Sequence, residues 1–243
     1  LLDVENEIVK NGVELISPGM KILTHCHSST VEKLLKAAHQ TGIDFSVYAT
    51  ETRPLFQGRI TAKNLTKAGI KTTIITDAAA PYTLSHLDEI EIDLVLLGCD
   101  AIAADGSCVN KIGSFAISLA AKEAGIPLYI VSTLLKFDSQ AKTGEEIKIE
   151  KRRPSEIWKN SPEKLNIINP AFDLIPFDKI TGYISEFDMI TPSKIKTIVK
   201  KNYPWIIEKA KSKKQKEKRK FSYLHLGEKI DPCLFYTSPS PRD

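Results

Sequence analysis

The sequence contains no uninterrupted run of about 18 apolar residues, so no segment reads as a membrane-spanning helix. Its opening, Leu1 to Glu5, has neither a charged leader nor an apolar stretch, and the expectation is a protein that is not exported. No methionine opens the chain. Residues 1–17 read as a helix already under way, so a preceding N-terminal segment is expected. Cysteine is sparse: Cys26, Cys99, Cys108 and Cys233 form no CxxC pair and show no regular spacing. That argues against a zinc site and against a disulfide framework, and favours a reducing, cytoplasmic setting. Uniform positive charge is lacking too. Residues 194–220 hold 12 Lys/Arg against only Glu208 and Glu217, a local balance of +10, so with +4 overall the remainder carries −6. A body of that sign is not a general nucleic-acid binder, although the basic tail could touch phosphates or an acidic partner. Otherwise the tail is a solvated helix running into disorder.

What the sequence does have is apolar content, 42% of residues, enough for a buried core. Short β-branched runs recur at residues 21–24, 45–49, 71–76, 93–97 and 128–131, each predicting a buried strand. Helical periodicity covers 29–40, with Val31, Leu34, Leu35 and Ala38 on one face, and 112–124, with Phe115, Ala116, Leu119 and Ala120. Gly42, Gly69 and Gly125 follow helical stretches, where left-handed caps are expected. The rhythm predicts an α/β protein with a Rossmann-like, doubly wound parallel sheet flanked by helices. Residues 147–150 could add a short strand. Residues 169–173 read as a turn leading to a last strand near 183–185. The final stretch, 236–243, resembles a translated adapter scar and is left out of the fold.

In such a sheet, chemistry collects at the carboxyl ends of the strands. Cys26 falls where a strand gives way to a helix, beside the amides of Ser28, Ser29 and Thr30, a setting that lowers a thiol pKa and holds phosphate. An inert buried thiol is the alternative. His25 and His27 flank it on the opposite face if the chain stays extended, and no metal is expected there. Asp100 follows an apolar strand and Gly98, where desolvation would raise its pKa toward that of a useful proton donor; a turn cap is the other reading. Asn110 and Lys111, expected to open a helix, offer an amide, an ammonium and free N–H groups for a sugar phosphate. Arg53, Arg59 and Lys136 add cations at other strand ends.

Taken together, Ile22 to Ser28, Glu51 to Pro54 with Gln57-Gly58-Arg59, Gly98 to Asp100, Asn110 to Gly113 and Leu135 to Phe137 carry a resemblance that covers about Val4 to Trp205. The chain resembles the superfamily of ribose-1,5-bisphosphate isomerases, methylthioribose-1-phosphate isomerases and the alpha, beta and delta subunits of translation initiation factor 2B. Its isomerases keep a catalytic Cys and Asp, matched here by Cys26 and Asp100. The resemblance further implies substrate contacts from Ser28, Arg53, Asn110, Lys111 and Lys136. It implies no metal or redox cofactor and a homo-oligomer (dimer or hexamer), and it leaves activation by AMP open. Residues 146–157, 169–173 and 189–192 look like the archaeal-type bisphosphate isomerases, in the route from nucleoside monophosphates to a carboxylating enzyme. A non-catalytic regulatory subunit and a methylthioribose-1-phosphate isomerase are the alternatives. The implied division is 1–18, last helix of a largely missing N-terminal helical domain; 19–205, catalytic domain; and 206–243, basic tail.

Overall fold

The computed structural model describes residues 2–85 and 90–208. Along the chain run α1 (Leu2–Val13), β1 (Lys21–His25), α2 (Ser29–Gln40), β2 (Ser46–Thr50), α3 (Gln57–Lys67), β3 (Lys71–Ile75), α4 (Ala79–Leu84) and β4 (Leu94–Leu97). There follow β5 (Ala101–Ile102), β6 (Cys108–Lys111), α5 (Ser114–Glu123), β7 (Leu128–Val131), β8 (Phe172–Ile175), β9 (Gly182–Ser185), β10 (Asp188–Ile190) and α6 (Ile195–Asn202).

The main sheet has seven strands in the order β10-β9-β7-β4-β1-β2-β3, parallel except for the β9–β10 hairpin. From β1 the chain winds outward through β2 and β3, then returns to place β4 on the other side of β1. This is the doubly wound α/β architecture expected from the sequence. The central strands are apolar on both faces because helices cover both. Ile22, Leu94 and Leu96 pack toward α1, α2 and α3, whereas Leu23, Val95 and Leu97 pack with residues of α4, α5 and α6. Gly42, Gly69 and Gly125 take φ of 88°, 88° and 70°, the left-handed caps expected of them.

Five expectations change. The strand at 183–185 is not the last, because β10 follows it in a hairpin. The strand at 71–75 is not buried: β3 is the sheet edge, and Ile74 is 48% exposed. Helix α5 buries Ser114, Ile117, Ser118 and Ala121 and turns Phe115 and Leu119, the expected core face, outward. Its serines satisfy themselves locally, Ser114 Oγ donating to Lys111 O at 2.7 Å and Ser118 Oγ to Phe115 O at 2.8 Å, so they pack inward at little cost. Residues 147–150 form no strand; a single 3-10 turn, Gly144–Glu146, precedes them. Residues 169–173 are not only a turn, since β8 starts at Phe172 and pairs antiparallel with β6, which pairs with β5 in a separate three-stranded sheet. The basic tail from residue 209 onward, with Cys233, lies outside the described residues.

Candidate active site at the reversal of strand order

β1 and β4 are hydrogen-bonded neighbours, His25 standing opposite Leu97, and the sheet's winding reverses between them. The crevice beyond their carboxyl ends is where an open α/β sheet binds its ligand. Here it forms a cleft of about 320 Å³ lined by Cys26, Ser28, Ser29, Thr30, Gln57, Cys99, Asp100, Asn110, Lys111, Lys136 and Arg152, among others.

Cys26 leaves β1 with φ of 70°, a left-handed conformation that ends the extended alternation. Its N–H donates to Thr52 Oγ1 at 3.0 Å, and its carbonyl accepts from Thr61 Oγ1 at 3.0 Å. His25 is turned into the core, 2% exposed, where burial lowers its pKa and keeps the ring neutral. Ile112 O, 2.8 Å from Nε2, can only accept, so Nε2 carries the hydrogen and Nδ1 accepts from Thr50 Oγ1 at 2.6 Å. His27 bonds Thr61 Oγ1 through Nδ1. Gly113 needs its φ of 107° and its missing side chain, because a Cβ would meet the His25 ring at 3.1 Å.

The Cys26 thiol is pushed up, not down. Burial outweighs the His27 N–H and the charge of Lys111, while Asp100 and Asp77 add to the rise. The expected lowering by a helix terminus is therefore overcome by desolvation, and the resting group is a protonated thiol. Ser28 caps α2, its Oγ accepting from Val31 N–H at 3.4 Å. Gly98, leaving β4, presses against this cap: a Cβ there would come within 2.9 Å of Ser28 Cβ. Asp100 is tied by its N–H to Val109 O at 2.8 Å, with its side chain open to the cleft. Burial of its surroundings raises its carboxyl, opposed by Lys136 and then Lys111.

Asn110 and Lys111 belong to the end of β6, not to a helix. Lys111 is 7% exposed and forms no ion pair or side-chain hydrogen bond among the described residues. A nearly buried ammonium without a carboxylate, on the wall of a polar cleft, suits an anion. Asn110 Nδ2 donates to Ser114 Oγ at 2.9 Å. The free N–H groups expected near Gly113 are not free. Asp173 Oδ2 accepts the Gly113 N–H at 2.7 Å and caps α5 from β8. Burial lifts this carboxyl to about 6 against the pull of the Gly113, Phe115 and Ser114 amides. Lys136 closes the 3-10 turn Leu134–Lys136 and donates through Nζ to Cys99 O.

Arg53 is not brought into this cleft. Its Nη2 donates to Ile157 O at 3.2 Å, and it lines a separate, apolar hollow with Ile157, Ile168 and Pro170. The loop holding it is fixed by Asp77, which accepts the Thr52 and Arg53 N–H groups, each at 2.7 Å. Arg59 pairs with Glu51 at 2.7 Å. Two lining residues escaped the residue-by-residue reading. Arg152, beside Glu156 at 3.3 Å and Glu150 at 3.5 Å, comes from an irregular segment with no periodicity to flag it. Gln57 lay within the recognised Gln57-Gly58-Arg59 segment, and its Oε1 is buried without a partner. The cleft thus joins two proton-holding groups to three cations, an arrangement for acid/base chemistry on a phosphorylated substrate.

A model of the initiation factor 2 subunit family matches residues 2–192. The chain is 40% identical over 205 residues to the ribose 1,5-bisphosphate isomerase of Methanocaldococcus jannaschii, covering 84% of this chain and 65% of that protein. It is also 40% identical over 199 residues to the methylthioribose-1-phosphate isomerase of Pelotomaculum thermopropionicum, covering 76% and 54% respectively. The crystal structure of 5-methylthioribose 1-phosphate isomerase from Pyrococcus horikoshii OT3 matches with a TM-score of 0.74 at 29% identity, over 84% of this chain and 59% of that one. The chain therefore spans 65% and 54% of the lengths of these two curated relatives.

Proposed function

The chain belongs to the initiation factor 2 subunit family, and from that premise we propose that it works as a sugar-phosphate aldose–ketose isomerase, with ribose 1,5-bisphosphate as substrate and ribulose 1,5-bisphosphate as product. The observation that carries this reading is the shared cleft, lined by the Cys26 thiol, the Asp100 carboxyl and a nearly buried Lys111 that has no ion-pair partner among the described residues. Residues 19–205 form the catalytic unit of this proposal, residues 1–18 belong to a preceding helical domain, and residues 206–243 are a basic tail.

The reaction moves one hydrogen from C2 to C1 and turns the C2 hydroxyl into a carbonyl, so the electrons stay within the sugar. Asp100 relays the proton that opens the ring, and Cys26 exchanges the proton at the sugar carbon. Lys111, Lys136 and the amides beyond Ser28 hold phosphate and hydroxyl oxygens, fixing the reacting carbons between the two groups. Arg53, for which the resemblance implies a substrate contact, lines the neighbouring hollow instead and takes no part in these steps. A hydride shift within a water-excluded cleft is the rival path, and solvent deuterium found at C1 of the product would discard it.

A second reading, methylthioribose-1-phosphate isomerase, draws on the equal identity to that relative. The three cations around the cleft favour the bisphosphate. Turnover assays with both sugar phosphates separate these readings, and no turnover of either would point to a regulatory subunit. The proposal includes a homo-oligomer, dimer or hexamer, and activation by AMP. Light scattering and assays with and without AMP check both.

A further inference from the structure

Glu186, just beyond β9, gathers hydrogen bonds from two distant parts of the chain. Its carboxylate accepts from Thr133 Oγ1 at 2.9 Å, from Leu134 N–H at 3.1 Å to each oxygen, and from Tyr203 OH at 2.7 Å. Thr133 and Leu134 begin the 3-10 turn that ends on Lys136, and Thr133 Oγ1 also accepts the Leu135 N–H at 3.2 Å. The carboxylate therefore caps this turn from outside it, satisfying an amide that has no partner within the turn. Past the turn, Phe137 is 6% exposed and Asp138 N–H donates to Ile102 O at 2.8 Å. Tyr203 is held in turn by ring contacts with Phe187 at 5.4 Å and Trp205 at 5.1 Å.

We propose that Glu186, fixed by Tyr203, is a positioning residue that sets where the Lys136 ammonium stands beside Asp100, so that the segment after α6 controls the site without touching substrate. A lysine stem is flexible, and the location of its charge depends on how its backbone is anchored. The C-terminal side of this turn is anchored by packing and a backbone bond; on the N-terminal side Ser132 N–H holds to Ile184 O at 3.1 Å and Leu134 is buried, while the Leu134 amide and the Thr133 hydroxyl rest on the Glu186 carboxylate. The charged and titratable groups around Asp100 are Lys136, whose Nζ also donates to Cys99 O, Lys111, and the Cys26 and Cys108 thiols, with Arg152 lining the same cleft. Of these, Lys136 is the one that Glu186 reaches through the turn. Its kinetic consequence rests on the isomerase reading; its electrostatic consequence does not.

The test is a double-mutant cycle on the full chain, read by carbon NMR titration of the Asp100 carboxyl. Lys136→Met is expected to raise the midpoint, since a cation that favours the carboxylate is lost. Glu186→Ala should raise it in the same direction, and the double variant should go no further than Lys136→Met alone. Glu186→Gln, whose amide oxygen still accepts from Leu134, should restore most of the wild-type midpoint. In assays with ribose 1,5-bisphosphate, Glu186→Ala should lower kcat/KM roughly ten- to hundredfold. An unmoved Asp100 in a folded Glu186→Ala protein, or shifts that simply add, would overturn the proposal. Should Glu186→Ala not fold, Tyr203→Phe, which removes a single bond to Glu186, supplies the same reading: a raised midpoint supports it and an unchanged one refutes it. A shifted Asp100 with no turnover of either sugar phosphate would remove the isomerase reading and leave this one standing; turnover with an unmoved Asp100 would do the reverse.

Discussion

At Cys26 three constraints coincide: a left-handed backbone, an N–H given to Thr52, and a thiol set among Lys111, Asp100 and Asp77. A side chain in that conformation costs about 1–2 kcal/mol relative to glycine. Cys26→Gly is therefore expected to melt higher than Cys26→Ala, by about 1 kcal/mol in chemical denaturation, and equal stabilities would mean that the turn is unstrained. Cys26→Ser keeps the shape but makes the group a far weaker acid, and Asp100→Asn removes the ionisable proton that the proposed ring opening requires. Each should lower kcat on ribose 1,5-bisphosphate by about 10²–10⁴-fold with little change in melting. Because burial raises the thiol, the reactive thiolate is scarce near neutrality, and kcat/KM should climb as pH rises into the alkaline range. Asp173 bears on stability instead. Its folded pKa of about 6 lies above its unfolded value, so the folded chain holds the extra proton. Its contribution to stability is complete below about pH 4 and declines as pH rises to about 6. Asp173→Asn should shrink the fall in melting temperature between pH 5 and pH 7.

At the scale of the element, what matters is which neighbours an apolar residue finds. Leu96, on a central strand, is 0% exposed, and Leu96→Ala should cost about 2–5 kcal/mol in urea unfolding. Ile74 on the edge strand looks similar in sequence, yet Ile74→Lys should change stability by no more than about 0.5 kcal/mol. The same distinction explains what could be read in advance. Helix 29–40 was legible because its apolar face is the buried one and Ser28 caps it. The face of α5 was not, since its serines bond to carbonyls three residues back and pack as small residues. Strands β5, β6 and β8 are two to four residues long, and β6 finds β8 only after the chain has travelled from Lys111 to Phe172, a pairing that local pattern does not carry. In the cleft, Cys26, Ser28, Asp100, Asn110, Lys111 and Lys136 line a common wall, because strand ends converge whatever the loops contain. Arg152 arrives from irregular chain, where no periodicity singles it out and only the likeness of residues 146–157 as a stretch covers it.

At the scale of the molecule, the proposed homo-oligomer needs a surface to bury. Helix α5 offers Phe115 and Leu119, each 42% exposed, and Tyr82 of the neighbouring α4 is 48% exposed. Replacing Phe115 and Leu119 together by Glu should reduce the mass seen by light scattering to that of a monomer while the circular dichroism spectrum is kept. If the mass does not fall, this face is not the contact.

The adjacency of β1 and β4 also shapes how the molecule becomes competent. One arm of the sheet supplies the sulfur and the other the carboxylate, so neither arm alone possesses a half-working centre that could be improved by degrees. After dilution from denaturant, turnover by the proposed isomerase should return only with the last phase of the recovering circular dichroism signal, when the two arms have closed against each other.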